Sequence, residues 1–175
     1  MSLEVISKCG NDELASVYIA RLRRNGRLIE MVESLQPPKR IDEKWVLIIS
    51  TLMGCPVGCP MCDAGGEYHG KLTAEEMTAQ VEYLVRSRFS SLKVPSDQFK
   101  IQFARMGEPA LNDAVLEVLD SLPGFFEAPG LMPSISTVAP AGREDFFHQL
   151  LNIKRKWYGA GRFQLQFSLH STDRD

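Results

Sequence analysis

The chain has 175 residues, the length of one ordinary domain, with 44% hydrophobic and 24% charged residues, the balance of a soluble globular protein. A formal net charge of −2 argues against a protein built mainly to grip nucleic acid, and no apolar run approaches the roughly 18 residues of a membrane helix. The N-terminus lacks a charged-then-apolar secretion layout, and four cysteines, three of them clustered, are not an extracellular disulfide framework, so a cytoplasmic chain in a reducing compartment is expected.

In chain order, residues 1–35 read as an N-terminal segment followed by a β-hairpin. Tyr18, Ala20 and Leu22 alternate with Ile19, Arg21 and Arg23, Asn25-Gly26 is a strong turn signal, and the return arm carries Leu28, Ile29, Met31 and Val32. Pro37 and Pro38 cannot extend a ladder, which predicts a linker over 36–43. From 44 to 175 strand and helix signals alternate. Strands are expected at 44–51, 98–104, 131–137 and 162–170, the third weakened by Pro133. Helices are expected at 72–89, capped by Thr73 with Glu76 three residues later, at 113–122, stopped by Pro123-Gly124, and at 143–158. The first helix has Met77, Val81, Leu84 and Val85 as its apolar stripe. Such alternation implies βαβ units and a parallel sheet of four strands, an α/β class.

Two strands alternate more cleanly than doubly covered parallel strands do. Phe163, Leu165, Phe167 and Leu169 oppose Gln164, Gln166, Ser168 and His170, and Phe99, Ile101 and Phe103 oppose Lys100, Gln102 and Ala104. One sheet face is therefore expected to pack on helices. The other is either the ligand-holding interior of a curved or barrel sheet, or one solvated face of an open sheet.

The stretch MGCPVGCPMCDAGG places Cys55, Cys59 and Cys62 in a C-x3-C-x2-C array, following the 44–51 strand. Structural zinc needs four ligands, so Cys9 or His69 would have to join the three thiols. Three unliganded thiols would be a redox hazard. An iron–sulfur cluster held by three thiolates would leave one iron open to a substrate or cofactor, and the intervening glycines and prolines would let the backbone wrap it closely.

This array resembles the hallmark of radical S-adenosylmethionine (SAM) enzymes, in which the open iron chelates SAM and electron transfer cleaves it to a 5′-deoxyadenosyl radical. Further segments narrow the resemblance. MGEPALN, ISTVAP and FSLHS are similar to successive SAM-contacting elements, GKLTAEEM to the segment after the cluster loop, and GRLIE to one whose glutamate is a proton acceptor. Together they resemble the radical SAM adenine methyltransferases of ribosomal and transfer RNA, which act on carbon 2, or on carbon 8 in resistance relatives, over about residues 16–175. The resemblance implies a partial (β/α) barrel, four strands of an expected six, a 4Fe–4S cluster on Cys55, Cys59 and Cys62, and SAM lined by Gly107, Glu108, Ser136, Ser168, Leu169 and His170. It also implies Glu30 as catalytic base, a reductant such as flavodoxin or ferredoxin, and an RNA substrate.

The resemblance is incomplete. The methyltransferases carry a cysteine seven residues before the first cluster ligand, where this chain has Ile48, and a methyl-carrying cysteine further along than Asp175; Cys9 is the spare thiol here. Their helical RNA-binding region is nearly absent, although Arg21, Arg23, Arg24 and Arg27 form a basic hairpin tip that could touch phosphate or act as a solvated edge. A fragment or split subunit is expected, with a C-terminal half or partner chain pairing with the last strand. The alternatives are a radical SAM enzyme with a non-RNA substrate and a non-catalytic cluster- or zinc-binding module.

Overall fold

The computed structural model of the chain describes residues 2–65 and 67–169. Seven strands lie in one sheet in sequential order: β1 (Leu3–Asn11), β2 (Ala15–Leu22), β3 (Leu28–Leu35), β4 (Lys44–Ile49), β5 (Gln98–Phe103), β6 (Leu131–Thr137) and β7 (Gln164–Phe167). Pairing is antiparallel from β1 to β4 and parallel from β4 to β7. Helices α1 (Ala74–Arg88), α2 (Ala114–Phe125) and α3 (Glu144–Trp157) occupy the three parallel crossovers. The α/β class with four parallel strands is thus the class observed.

The N-terminal unit has one more strand than the expected hairpin. β1 pairs along β2 from Leu3↔Leu22 to Asn11↔Ala15. A bulge between Val5 and Ser7 interrupts its alternation and leaves Ile6 in solvent, so LEVISKC does not show a clean period of two. The tip between β2 and β3 follows from Asn25-Gly26: Gly26 takes φ +72° and donates its N–H to Leu22 O at 2.8 Å. After residues 36–43 the sheet continues without a break, because β3 pairs with β4 from Val32↔Ile48 to Leu35↔Trp45.

The helix-facing side of the sheet is the core. Trp45, Leu47 and Ile49 of β4 and Phe99, Ile101 and Phe103 of β5 are fully buried beneath Met77, Val81, Leu84 and Val85 of α1 and the apolar face of α2. Trp45 stacks on Phe99 with centroids 5.2 Å apart. One carboxylate lies inside this layer. Glu33 is 1% exposed and accepts from Arg88 at 2.6 and 3.0 Å, Trp45 Nε1 at 2.9 Å and Tyr18 Oη at 3.2 Å. Four donors tie β2, β3, β4 and the end of α1 to one charge, which compensates its burial.

The capping box at Thr73 and Glu76 forms as expected. Glu76 has a second task, since Arg24 donates to both its oxygens at 2.9 and 3.1 Å. Half of the basic tip is therefore structural: Arg24 docks on α1, Arg27 Nη1 lies 3.1 Å from His69 Nε2, and Arg21 and Arg23 remain exposed.

One proline reading is corrected, and the strand expected around the other, Pro133, forms over 131–137. α2 runs past Pro123 to Phe125 instead of stopping at 122. A helical proline leaves the carbonyl four residues back without its donor; here that carbonyl is Leu119 O, and buried Tyr158 Oη donates to it at 2.5 Å. Pro133 lies inside β6 opposite Ile101 of β5, and the β6–β7 ladder begins only at Ser134, one residue beyond it.

The last strand departs from expectation. Leu165, Phe167 and Leu169 are 39%, 59% and 80% exposed, because α3 turns only Phe146 and Leu150 fully into the core. The opposite face of β7 joins a polar network, with Lys100 Nζ donating to Gln164 Oε1 at 2.5 Å and Ser134 and Ser136 hydroxyls donating to Gln166 Oε1 at 3.3 and 3.2 Å. No helix among the described residues is long and apolar enough to cross a membrane.

Tyr158→Phe is expected to cost about 1–3 kcal/mol in urea denaturation, the penalty of an unsatisfied buried carbonyl. In a Pro123→Ala background, where the helix regains its own donor, the same change should cost less. A pH dependence follows from Glu76. Burial would raise its carboxyl, but the Arg24 guanidinium and the Thr73 N–H outweigh burial and hold it below the usual carboxylate range. Its contribution is present above the unfolded value of about 4.3 and is lost as pH falls through the lower folded value. Arg24→Ala should shrink the stability gained on going from acid pH to neutrality; an unchanged gain in urea titrations at each pH would refute the coupling.

Candidate functional site

The site is built from the segments that leave the C-terminal ends of the parallel strands, where open α/β sheets place their ligands. After β4 the chain is held residue by residue. Gln80 brackets Ser50, accepting from its N–H at 2.9 Å and donating to its carbonyl at 3.0 Å. Ser50 Oγ donates to Glu30 O at 2.5 Å and accepts from the Met106 N–H at 3.2 Å. Thr51 and Leu52 N–H groups donate to Met106 O at 2.8 and 3.1 Å. Asn112 Nδ2 donates to Thr51 O and Leu72 O, both at 2.8 Å.

Beyond this clasp the cysteine loop closes on itself. Met53 N–H donates to Gly70 O at 2.9 Å and His69 N–H to Met53 O at 2.8 Å, forming a neck. Inside it, Cys62 N–H donates to Cys59 O and Gly65 N–H to Cys62 O, at 3.0 and 3.1 Å. Cys55 is buried, Cys59 half-buried and Cys62 exposed. Burial pushes the Cys55 thiol up, while the backbone N–H groups of Val57 and Glu108 oppose the shift by donating to its sulfur. Two residues that a zinc site would borrow lie elsewhere: Cys9 is on β1, separated from β4 by both β2 and β3, and His69 Nε2 faces Arg27 and Glu67, each at 3.1 Å.

A cleft of about 340 Å³ opens over this loop. Cys55, Cys59 and Cys62 line it, together with Gly107, Glu108, Ser136, Ser168 and Leu169 among others. The structure therefore brings together all of these candidates, while His170 lies outside the described residues. Gly107 has φ +98°, and a Cβ there would meet Leu52 Cβ at 2.4 Å, so glycine permits the close approach of the β5 loop to the cysteine segment. Glu108 is 5% exposed and holds this wall together: Oε1 accepts from Ala110 N–H at 2.9 Å and Thr137 Oγ1 at 2.5 Å, and Oε2 from Val138 N–H at 2.9 Å. A carboxylate offers about four acceptor positions, so three are structural and one is left on a residue that lines the cleft.

Glu30 lines an adjoining cavity of about 320 Å³ that shares Met61, Cys62, Ala64 and Arg105 with the first. Its Oε2 is 2.5 Å from Arg105 Nη2. Arg105 and Met61 were not singled out from the sequence. Position was the available signal for Arg105, which directly precedes MGEP in the loop that leaves β5. Ile48, on the uncovered sheet face between Val32 and Gln102, lines neither cavity.

Three thiols on one cleft, one of them already accepting backbone N–H bonds, are a chemically suitable donor set for an iron–sulfur group. Among the described residues, no three Cys, His, Asp or Glu side chains are yet gathered closely enough to hold a metal ion.

Gly107→Ala combines a left-handed backbone with a backbone-level clash and is expected to cost several-fold more stability than Gly58→Ala. Gly58 has φ +65° but open space around it, so that cost should stay near the ~1–2 kcal/mol of an alanine in the left-handed region. Urea denaturation of the two variants makes the comparison.

No protein-family model matches the chain, and no solved structure matches it. Curated relatives do. A probable dual-specificity RNA methyltransferase RlmN of Prochlorococcus marinus is 30% identical over 143 residues, covering 81% of this chain and 38% of the relative. The dual-specificity RNA methyltransferase RlmN of Aliarcobacter butzleri is 26% identical over 183 residues, covering 98% and 47%, and that of Helicobacter hepaticus is 30% identical over 158 residues, covering 87% and 37%. The chain thus spans half or less of the length of these relatives. Over that shared part, it belongs to the radical SAM family that includes the RlmN RNA methyltransferases.

Proposed function

We propose that this chain carries the radical-initiating part of an RNA-modifying enzyme. The observation that supports this best is the single cleft, at the C-terminal ends of β4 to β7, lined by three cysteines together with Gly107, Glu108, Ser136 and Ser168. On this reading Cys55, Cys59 and Cys62 hold a 4Fe–4S cluster, and SAM lies against Gly107, Glu108, Ser136, Ser168, Leu169 and His170. When bound, the pair supplies reductive cleavage of SAM to a 5′-deoxyadenosyl radical.

The chain's own residues bind, orient and exclude water. Glu108 offers its remaining acceptor position to the amino group of SAM while its other three bonds keep it from turning away. Burial holds the Cys55 thiol up, and the amides of Val57 and Glu108 offset part of that cost to the thiolate. Glu30, in the adjoining cavity, is the proton acceptor. A flavodoxin or ferredoxin supplies electrons, RNA is the substrate, the setting is cytoplasmic, and a C-terminal half or partner chain completes the barrel beside β7, whose apolar face is exposed. Residues 1–35, 36–43 and 44–175 would serve as hairpin unit, linker and partial barrel.

One observation favours a second reading. Ile48 cannot form a thiolate, so methyl transfer that needs a thiol at that strand position is closed to this chain. A radical SAM reaction on a substrate other than RNA fits that residue equally well.

Anaerobic reconstitution with iron and sulfide should give a brown protein, and dithionite with SAM should yield 5′-deoxyadenosine. Cys55→Ala, Cys59→Ala and Cys62→Ala should each abolish the colour and the product. A colourless protein holding one zinc ion would overturn the proposal.

A further inference from the structure

Arg105 is the one cation, among the described residues, that lines either the cysteine cleft or the Glu30 cavity. Its placement is part of the fold. The Arg105 N–H donates to Ile49 O at 3.0 Å, and the next residue's N–H donates to Ser50 Oγ, the hydroxyl that also holds the Glu30 carbonyl. One hydroxyl thus fixes the backbones that carry both members of the Arg105–Glu30 ion pair. The pair uses Nη2, and its side chains are 41% and 36% exposed. A guanidinium has five N–H donors in a rigid fork suited to an oxyanion. Among the described residues Glu30 is its one side-chain partner, which leaves the remaining donors at the boundary of the two cavities.

The boundary opens further. The Glu30 cavity shares Asp63, Ala64 and Met106 with a third cavity of about 230 Å³, and Arg27 stands on the wall of that one. The shared walls thus run from the cysteines past Arg105 to a second arginine, and the carboxylates of Glu30, Asp63 and Glu67 stand on the same walls. Two guanidiniums along these walls suit a chain of oxyanions better than a single carboxylate, and the chain of oxyanions in the proposed substrate is its phosphate backbone.

We propose that Arg105 is the phosphate-recognising residue of the site: it grips a backbone phosphate of a single-stranded RNA segment beside the cofactor cleft, and Glu30 holds its guanidinium in place. This rests on the reading of the chain as acting on RNA. The test measures affinity of the full chain for a short single-stranded oligoribonucleotide over a salt series, alongside affinity for S-adenosylhomocysteine, which carries the same carboxylate as SAM. Arg105→Gln should weaken oligoribonucleotide binding roughly ten- to a hundred-fold, the worth of one charge-assisted hydrogen-bonded contact. It should also flatten the dependence of log affinity on log salt by about 0.7, the value of one phosphate on a single strand. Arg105→Lys should keep the slope and lose part of the affinity, since the charge remains and the fork does not. S-adenosylhomocysteine affinity should not change. An unchanged salt slope in Arg105→Gln overturns the proposal, as does a loss confined to S-adenosylhomocysteine, which would make the cofactor carboxylate the partner. Failure of the unaltered chain to bind the oligoribonucleotide would overturn the RNA reading itself.

Discussion

The hydroxyl of Ser50 is the point on which the candidate site depends. It donates to Glu30 O on β3 and accepts from the Met106 N–H beyond β5, so three adjacent strands converge on one oxygen at the place where β4 ends. Ladder hydrogen bonds cease where strands end, and backbone groups there need other partners. In this chain Ser50, Gln80 and Asn112 supply them, and the same bonds aim the cysteine loop and the MGEP loop at each other. Gly107 completes the approach, because any side chain would strike Leu52. The geometry of the cleft is therefore a consequence of how the sheet terminates and needs no separate scaffold.

Glu33 and Glu108 show two uses of a buried carboxylate. Glu33 is saturated: two bonds from Arg88, one from Trp45 and one from Tyr18 leave it no acceptor position, and it lies on the helix-covered side. Its role is to pin α1 onto β2, β3 and β4. Glu108 has three partners, one just after β5 and two at the end of β6, and it borders the cleft. The difference of one hydrogen bond, at similar burial, separates a structural carboxylate from one that can also receive a ligand.

Much of this was legible in the sequence because it rests on short-range signals. Thr73 and Glu76 form the cap that their spacing announces, Asn25-Gly26 makes the tip, and the alternation of Phe99, Ile101 and Phe103 puts those rings in the core. The cleft itself was legible only through resemblance, since no local pattern says that Cys55 and Ser136 meet. What stayed hidden depends on partners distant in sequence. Pro123 reads as a stop unless Tyr158 is known to satisfy Leu119 O, 39 residues from the phenol. β1 is obscured by its bulge, and Arg24 reads as a solvent charge until Glu76, 52 residues away, is brought beside it. Leu165 and Phe167 read as core by alternation, but burial also needs a covering layer, and α3 covers little of β7.

The three cysteines are fixed to different degrees, and the gradient has a direction. Cys55 lies next to the neck at Met53 and His69, under the Glu108 amide, and is buried. Cys59 and Cys62 follow Gly58, whose left-handed backbone has open space around it, and burial falls along the loop to the exposed Cys62. The first thiol is thus positioned by the sheet ends, whereas the outer two are positioned by a turn held together by backbone bonds between Cys59, Cys62 and Gly65. Ligands on such a turn can be drawn together by what binds to them, with binding energy spent on ordering the loop. Cys62 and Met61 also form part of the boundary with the Glu30 cavity. Any group that orders the outer turn therefore also reshapes the wall that Arg105 and Glu30 face. In this arrangement the cofactor cleft and the neighbouring cavity are coupled through the loop they share.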